Sequence, residues 1–241
     1  MNIIKVDAIA STNTALKDMI KANQLDNFTV LYTNNQTAGR GQVHAKWEAE
    51  PFKNLTFSVY IKDLDIDIEN QFYLNQVVSI IVSDFIQSKI SSKVHVKWPN
   101  DILADKKKIC GILIENTVSN SKIKHSIIGI GLNVNQEKFN HAPNPTSLKL
   151  LNIRDYDLEL LLKELLSLFE SSLNRLLSSN KQEIHENYLK QLYQYQKPAM
   201  YRSNGEQFMG KILGVSRYGK LQLEKEDEKT YEYEIKEIQF L

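Results

Sequence analysis

Residues 94–134 read VHVKWPNDILADKKKICGILIENTVSNSKIKHSIIGIGLNV, and four strand-like runs crowd into them: Val94 to Lys97, Ile102 to Ala104, Lys108 to Glu115 and Lys124 to Asn133. Asn120-Ser121-Lys122 makes a hairpin turn between the last two runs. Strands packed this closely leave no room for a helix between each pair, so a regularly alternating β-α fold is excluded. An α+β arrangement is expected instead.

Working outward, Gln71 to Ile90 and Leu158 to Leu177 have the length and apolar spacing of helices, with a shorter one at about Glu183 to Tyr193. Phe28 to Tyr32 and Leu55 to Ile61 read as strands. Ser11 or Thr12 caps a helix that runs to about Asn23 and puts Leu16, Met19 and Ile20 on one face. Strands grouped between flanking helices favour a mixed sheet with its helices on one face. After Lys197-Pro198 the pattern changes to five short runs: Ala199–Tyr201, Gln207–Ser216, Lys220–Leu223, Tyr231–Ile235 and Ile238–Phe240. They read as a small antiparallel barrel, so two domains are expected, 1–197 and 198–241.

The chain has 241 residues, with 30 Lys+Arg against 29 Asp+Glu and a formal net charge of +1. Near-neutral charge argues against nucleic acid held by counterion release, though a few cations can still grip a small anion. Cys110 is the single cysteine, which excludes an intrachain disulfide and a cysteine zinc cluster and suits a reducing cytoplasm. No signal peptide opens the chain, and Leu158 to Leu177 is broken by charges, so no membrane span is expected. The five histidines (44, 95, 125, 141, 185) lack metal-ligand spacing, and no nucleophile elbow or P-loop is present.

Residues 36–47 read Gln-Thr-Ala-Gly-Arg-Gly-Gln-Val-His-Ala-Lys-Trp. Glycines on both sides of Arg40 let main-chain N–H groups approach a ligand, and the guanidinium forks onto phosphate or carboxylate. A flexible hairpin with a solvated arginine fits equally well. Residues 97–101 read Lys-Trp-Pro-Asn-Asp, where proline stiffens the segment, Trp98 packs in the core, and Asp101 holds Mg²⁺ or an amine, or simply closes a turn. Of the three lysines at 106–108, Lys108 differs because it opens the apolar run, and Gly111 three residues on leaves space for a ligand. Glu115 is by default a paired surface carboxylate, and Cys110 a buried inert thiol. Gly-Ile-Gly-Leu-Asn-Val at 129–134 lacks the third glycine and the helix of a dinucleotide site.

Taken in order, Ser-Thr-Asn at 11–13, Gln-Thr-Ala-Gly-Arg-Gly at 36–41, Lys-Trp-Pro-Asn-Asp at 97–101, Lys-Ile-Cys-Gly-Ile-Leu-Ile-Glu at 108–115 and Gly-Ile-Gly-Leu-Asn-Val at 129–134 resemble the biotin–protein ligases. The resemblance spans about residues 5–135 and extends to the C-terminal stretch. It implies a class II aminoacyl-tRNA synthetase-like mixed sheet flanked by helices, with a small SH3-like β-barrel. It also implies an ATP-dependent enzyme that makes biotinyl-5′-AMP and pyrophosphate from biotin and Mg-ATP. The biotin then passes to one lysine of a biotin carboxyl carrier domain.

Residue by residue, the resemblance gives Ser11, Thr12, Asn13 and Gln36 to the biotin ring. Gly39, Arg40, Gly41 and Gln42 form the loop that closes on biotin and the adenylate. Lys108 bridges the biotin carboxylate and α-phosphate, while Gly111, Ile112 and Leu113 line the biotin site. Arg40, Gln42, Trp47, Lys97, Asn100, Lys108 and Asn133 fall to the nucleotide. Lys108, Arg40 and Asp101 are the implied catalytic set, Asp101 positioning the incoming lysine or a metal. A cytoplasmic protein is implied, with no DNA partner because Ser11 begins too early for a preceding helix-turn-helix. A homodimer is left open.

The chain departs from the family at several points. Gln42 stands where a second arginine is common, Val43-His44 replace a basic-glycine continuation, and Phe52-Lys53 precede Asn54 where a glycine is common. The usual adenine-stacking tryptophan is absent between Asn135 and Leu148, leaving Phe139 or His141 as substitutes. Two other readings stay open: a lipoate or octanoate ligase or transferase of the same fold, and a non-catalytic biotin- or nucleotide-sensing module.

Overall fold

In the computed structural model, which describes residues 1–22, 25–43 and 45–241, strand β1 (Asn2–Ile9) leads into helix α1 (Thr12–Ala22), and β2 (Thr29–Gln36) and β3 (Leu55–Lys62) follow. A 3₁₀ turn at Ile68–Asn70 enters α2 (Gln71–Lys89). Next come β4 (Val94–Lys97), β5 (Asp101–Ala104), β6 (Lys107–Ser119) and β7 (Lys122–Leu132), then α3 (Leu148–Asn152), α4 (Leu158–Leu177) and α5 (Lys181–Gln191). The chain finishes with β8 (Pro198–Ser203), β9 (Glu206–Val215), β10 (Leu221–Lys225), β11 (Thr230–Tyr233) and β12 (Gln239–Phe240).

The first seven strands form one sheet in the order β1-β2-β3-β7-β6-β5-β4. Its β1–β2 pair is parallel and every other pair antiparallel, so the sheet is mixed, as expected. The β6–β7 hairpin turns on Asn120 and Ser121, both at positive φ, which twists with the strands as a tight hairpin requires.

Because strand side chains alternate, each strand contributes to two faces. Val30, Tyr32, Phe57, Val59, Ile61, Ile112, Ile128 and Ile130 belong to the large core, covered by α2, α4 and α5. Leu31, Tyr60 and Ile127, one step out of phase, form a second cluster with Leu16 of α1. The helices therefore lie on both faces, which corrects the one-face expectation: α1 is polar enough at its start to sit over the thinner, more polar side. Leucines recurring at three- and four-residue steps bury Leu161, Leu162, Leu165, Leu166, Phe169 and Leu173 of α4. The Asp157 side chain caps that helix by accepting from Leu160 N.

The α1 helix ends at Ala22 in the described chain, and Asn23, where it was expected to end, lies outside the described residues. Strand β1 had no sequence expectation. It is an edge strand with most of its side chains outward, so no buried alternation marks it.

The C-terminal strands pair in the order β11-β10-β9-β8-β12. Among the described residues this sheet stays open, with β11 and β12 at its edges, where a barrel was expected. Its apolar residues Tyr201, Ile212, Leu221 and Leu223 join the large core. Trp98 Nε1 donates to Gly219 O at 2.9 Å, and Tyr193 packs on Phe240. Among the described residues no helix is long and apolar enough to cross a membrane.

Candidate active site

Beyond the end of α1, the polar face of the large sheet is left uncovered. Register places Thr56, Gly131, Gly111 and Asp101 in one row across β3, β7, β6 and β5, with Ser58, Gly129 and Leu113 in the next. Three glycines in these rows remove the side chains that would fill the space. Above them opens a cavity of about 710 Å³, within the range of small-molecule sites. Side chains of Ile112 and Ile130 point the other way into the core, so Ile112 meets the cavity through its main chain.

The N-terminal start of α1 closes one side. Ser11, Thr12 and Asn13 line the cavity and are buried. Thr12 N and Oγ1 donate to Gln36 Oε1 at 2.9 and 3.2 Å, and Ser58 Oγ donates to Asn13 Oδ1 at 2.5 Å. Buried polar groups need partners, and this network supplies them.

Residues 39–47 fold back as a small hairpin: Gly41 N donates to Ala45 O at 2.7 Å and Trp47 N to Gly39 O at 3.0 Å. The expected substitution at Val43-His44 is half visible, since His44 lies outside the described residues. Gly39 does not line the cavity. A Cβ there would come 2.6 Å from Trp47 O, so this glycine lets the two limbs of the hairpin approach. Trp47 lies flat over the glycine floor: a Cβ on Gly111 would meet its ring at 2.9 Å, one on Gly131 its Nε1 at 2.6 Å.

The cations are distributed around the rim. Arg40, Lys97 and Lys108 line the same cavity, and Lys46 and Lys236 join them. Lys108 Nζ is 2.7 Å from Asp101 Oδ1 and sits over the Trp47 ring at 5.4 Å. Its main chain is fixed by Asn144 O and Thr146 N. Arg40 pairs with Glu115 at 3.0 Å. Lys97 sits over the Phe240 ring at 5.0 Å, and its pKa is pushed down by burial first, then by Lys108, with Asp101 opposing. Asn100 donates to Ile112 O at 2.7 Å, pinning the 98–101 turn to β6. The Trp98–Pro99 bond is cis and Trp98 is buried, as its expected core role requires.

Most of the sequence-derived set therefore meets in one place, with two exceptions besides the Ile112 side chain. Gly39 supports the hairpin from outside the cavity. Asn133 lies past the end of β7, where its amide donates to Thr146 O at 2.9 Å, and it does not line the cavity. Neither Phe139 nor His141 lines it either; from that segment only Pro143 does. Glu48 draws the segment aside by accepting from the backbones of Asn140, His141 and Ala142. Burial works against the Glu48 charge, yet those donors hold its carboxyl below the ordinary range.

Sequence reasoning missed two groups of contributors. Gly129 and Gly131 are spaced two apart in a strand, which places both on one face, and that spacing was a usable clue. Ile235, Lys236, Ile238 and Phe240 carry no local clue, because folding alone brings them to the cavity. Lys236 Nζ donates to Val43 O, so the turn between β11 and β12 holds the hairpin directly. Cys110 is fully buried and its thiol pKa is raised by burial, which makes it inert.

This floor, rim and hairpin coincide with a shared ancestry: the model of the Biotin/lipoate A/B protein ligase family matches residues 6–133, and the chain belongs to that family. Among curated relatives, the bifunctional ligase/repressor BirA of Bacillus subtilis is 30% identical over 136 residues, covering 56% of this chain and 41% of its own length. The biotin–[acetyl-CoA-carboxylase] ligase of Mycobacterium tuberculosis is 29% identical over 184 residues, covering 74% and 67%. The chain thus spans about two fifths of the length of the BirA relatives it matches. The solved biotin protein ligase from Aquifex aeolicus in complex with biotin and ATP superposes with a TM-score of 0.80 at 24% identity, covering 100% of this chain and 98% of that one, a likeness of fold.

Proposed function

We propose that this chain is a biotin protein ligase. It condenses biotin with Mg-ATP to biotinyl-5′-AMP and pyrophosphate, then transfers the biotinyl group to one lysine of a biotin carboxyl carrier domain in the cytoplasm. The observation that carries this reading is that Arg40 and Lys108 line one cavity over a glycine floor.

In the first half-reaction a biotin carboxylate oxygen forms a bond to the α-phosphorus as the bond to the β-phosphate oxygen breaks. Two anions must approach. At about 4 Å like charges repel by roughly 1 kcal/mol in water and about 4 kcal/mol at an effective dielectric of 20. Lys108 and Arg40 offset that repulsion where water is excluded. Trp47 and the hairpin would cover the mixed anhydride, which water otherwise hydrolyses. In the second half-reaction the carrier lysine amine attacks the acyl carbon, AMP leaves and a proton is lost. Asp101, paired with Lys108, would hold that amine.

Magnesium enters with ATP as part of the substrate. Among the described residues no three His, Cys, Asp or Glu side chains cluster. The α-helical and large-sheet part, 1–197, would carry the chemistry, and 198–241 would form a companion domain of SH3-like ancestry that walls the cavity.

The test is incubation with biotin, Mg-ATP and a carrier domain, followed by mass measurement. One added biotinyl group on the carrier supports the reading. Because the family takes in lipoate ligases, pyrophosphate release with lipoate but not biotin would transfer it to that substrate. Ligand binding without pyrophosphate release would make the chain a sensing module.

A further inference from the structure

Glu115 lies on β6 two residues beyond Leu113 and so shares the face of the cavity floor. One of its oxygens serves two elements at once. Glu115 Oε2 accepts from Asn13 Nδ2 at 2.7 Å and from Arg40 Nη2 at 3.0 Å, while Oε1 lies 3.3 Å from the same guanidinium nitrogen. Asn13 belongs to the first turn of α1, and Arg40 to the glycine-flanked hairpin. The other end of the Asn13 amide is occupied by Ser58, and its remaining acceptor, Leu113 O, is 3.3 Å away. Without the carboxylate, the buried Asn13 amide nitrogen would keep only that longer bond, and Arg40 would lose its ion partner.

We propose that Glu115 is a positioning residue: it binds the Arg40 hairpin to the first turn of α1 and so sets the shape of the biotin end of the pocket before any ligand enters. An ordinary surface ion pair joins two mobile side chains and contributes little. This one differs because the second bond of the carboxylate goes to a buried amide whose own position is fixed by β3. The carboxylate thus transmits the place of the sheet to the hairpin. Its effect is on the population of the pocket form that can bind, which enters the apparent affinity directly. The chemistry itself belongs to Lys108 and Arg40.

The proposal rests on the ligase reading for its substrate, and the test separates the two. Glu115→Gln keeps an acceptor for Asn13 and removes the charge that holds Arg40; Glu115→Asp keeps the charge on a shorter arm. Trypsin cleavage within residues 39–47 of the ligand-free chain should quicken about fivefold in Glu115→Gln, the upper end for releasing an exposed ion pair, and less in Glu115→Asp. In biotin-dependent pyrophosphate exchange, KM for biotin should rise by about the same factor while kcat changes less. Thermal melting of both variants checks that they fold, and Glu115→Asp serves alone if Glu115→Gln does not. Unchanged cleavage and unchanged KM would overturn the assignment, as would a fall in kcat with KM unmoved. A wild-type chain that exchanges no pyrophosphate with biotin defeats the ligase reading, while the cleavage comparison still decides the role of Glu115 in the hairpin.

Discussion

The two faces of the seven-stranded sheet are made from alternating residues of the same strands, and they differ in nearly every respect. On one face Val59, Ile128, Ile130 and Ile112 meet α2, α4 and α5 in a continuous apolar core. On the other, Thr56, Gly129, Gly131 and Gly111 meet a cavity rimmed with charge. In Gly129-Ile130-Gly131 the two purposes are one residue apart. The comparison shows how a fold divides labour: one parity supplies stability, and the other can spend its side chains, or omit them, on binding. A one-residue slip of β7 would exchange the two sets and lose both.

The sharpest way to break this contrast is to act on one parity and look for an effect on the other. Ile128→Ala, on the packed face, should cost about 2–5 kcal/mol of stability in urea denaturation, with KM for biotin unchanged in the folded fraction. Loss of biotin binding in that folded fraction would mean that the faces are not separable. Lys108→Ala should do the reverse. Pyrophosphate exchange should fall about 100-fold, equivalent to about 2.7 kcal/mol, while the melting temperature moves little, because the Asp101 pair is partly exposed. Normal exchange by that folded variant removes Lys108 from the reaction.

A smaller effect is expected from Gly131→Ala. The added methyl would enter the volume of the Trp47 indole and displace it, weakening biotin binding by about tenfold in calorimetry. The mildest expectation concerns both faces together. His125, beside Tyr60, and His185, bonded to Gln76, have pKa values lowered mainly by burial. Below about pH 6.5 the unfolded chain then binds more protons than the folded one, so stability must decline as pH falls through that range. Melting temperatures that rise on acidification between pH 7 and 5 would contradict the sign.

Much of the packed face was legible. The leucine spacing of α4 marks its span at Leu158–Leu177, and the apolar runs of β6 and β7 are long enough to declare themselves. Strand β1 was not legible, because an edge strand buries none of its side chains fully and its Ile4-Lys5-Val6 alternation is short. Neither was the placement of α1 on the opposite face, since Leu16, Met19 and Ile20 define a stripe without saying which side of a sheet receives it. Residues carried by short sequence motifs converge on one cavity: Arg40, Asp101, Lys108 and Gly111. That convergence stops where a strand ends. Asn133 follows the last paired residue of β7, so its side chain answers to Thr146 and no longer to the sheet's alternation. Contacts such as Lys236 with Val43 join residues separated by nearly the whole chain, and no local pattern records them.

The cavity's contributors run from Ser11 to Phe240, whereas the family model matches residues 6–133. The base of the chamber thus falls within the family match, and part of its enclosure is composed by segments outside it. Exchanging those last strands for a relative's would replace two sides of the chamber while leaving its recognisable signature intact, so chimeras cut near residue 197 are a direct route to altered retention of whatever the chamber encloses.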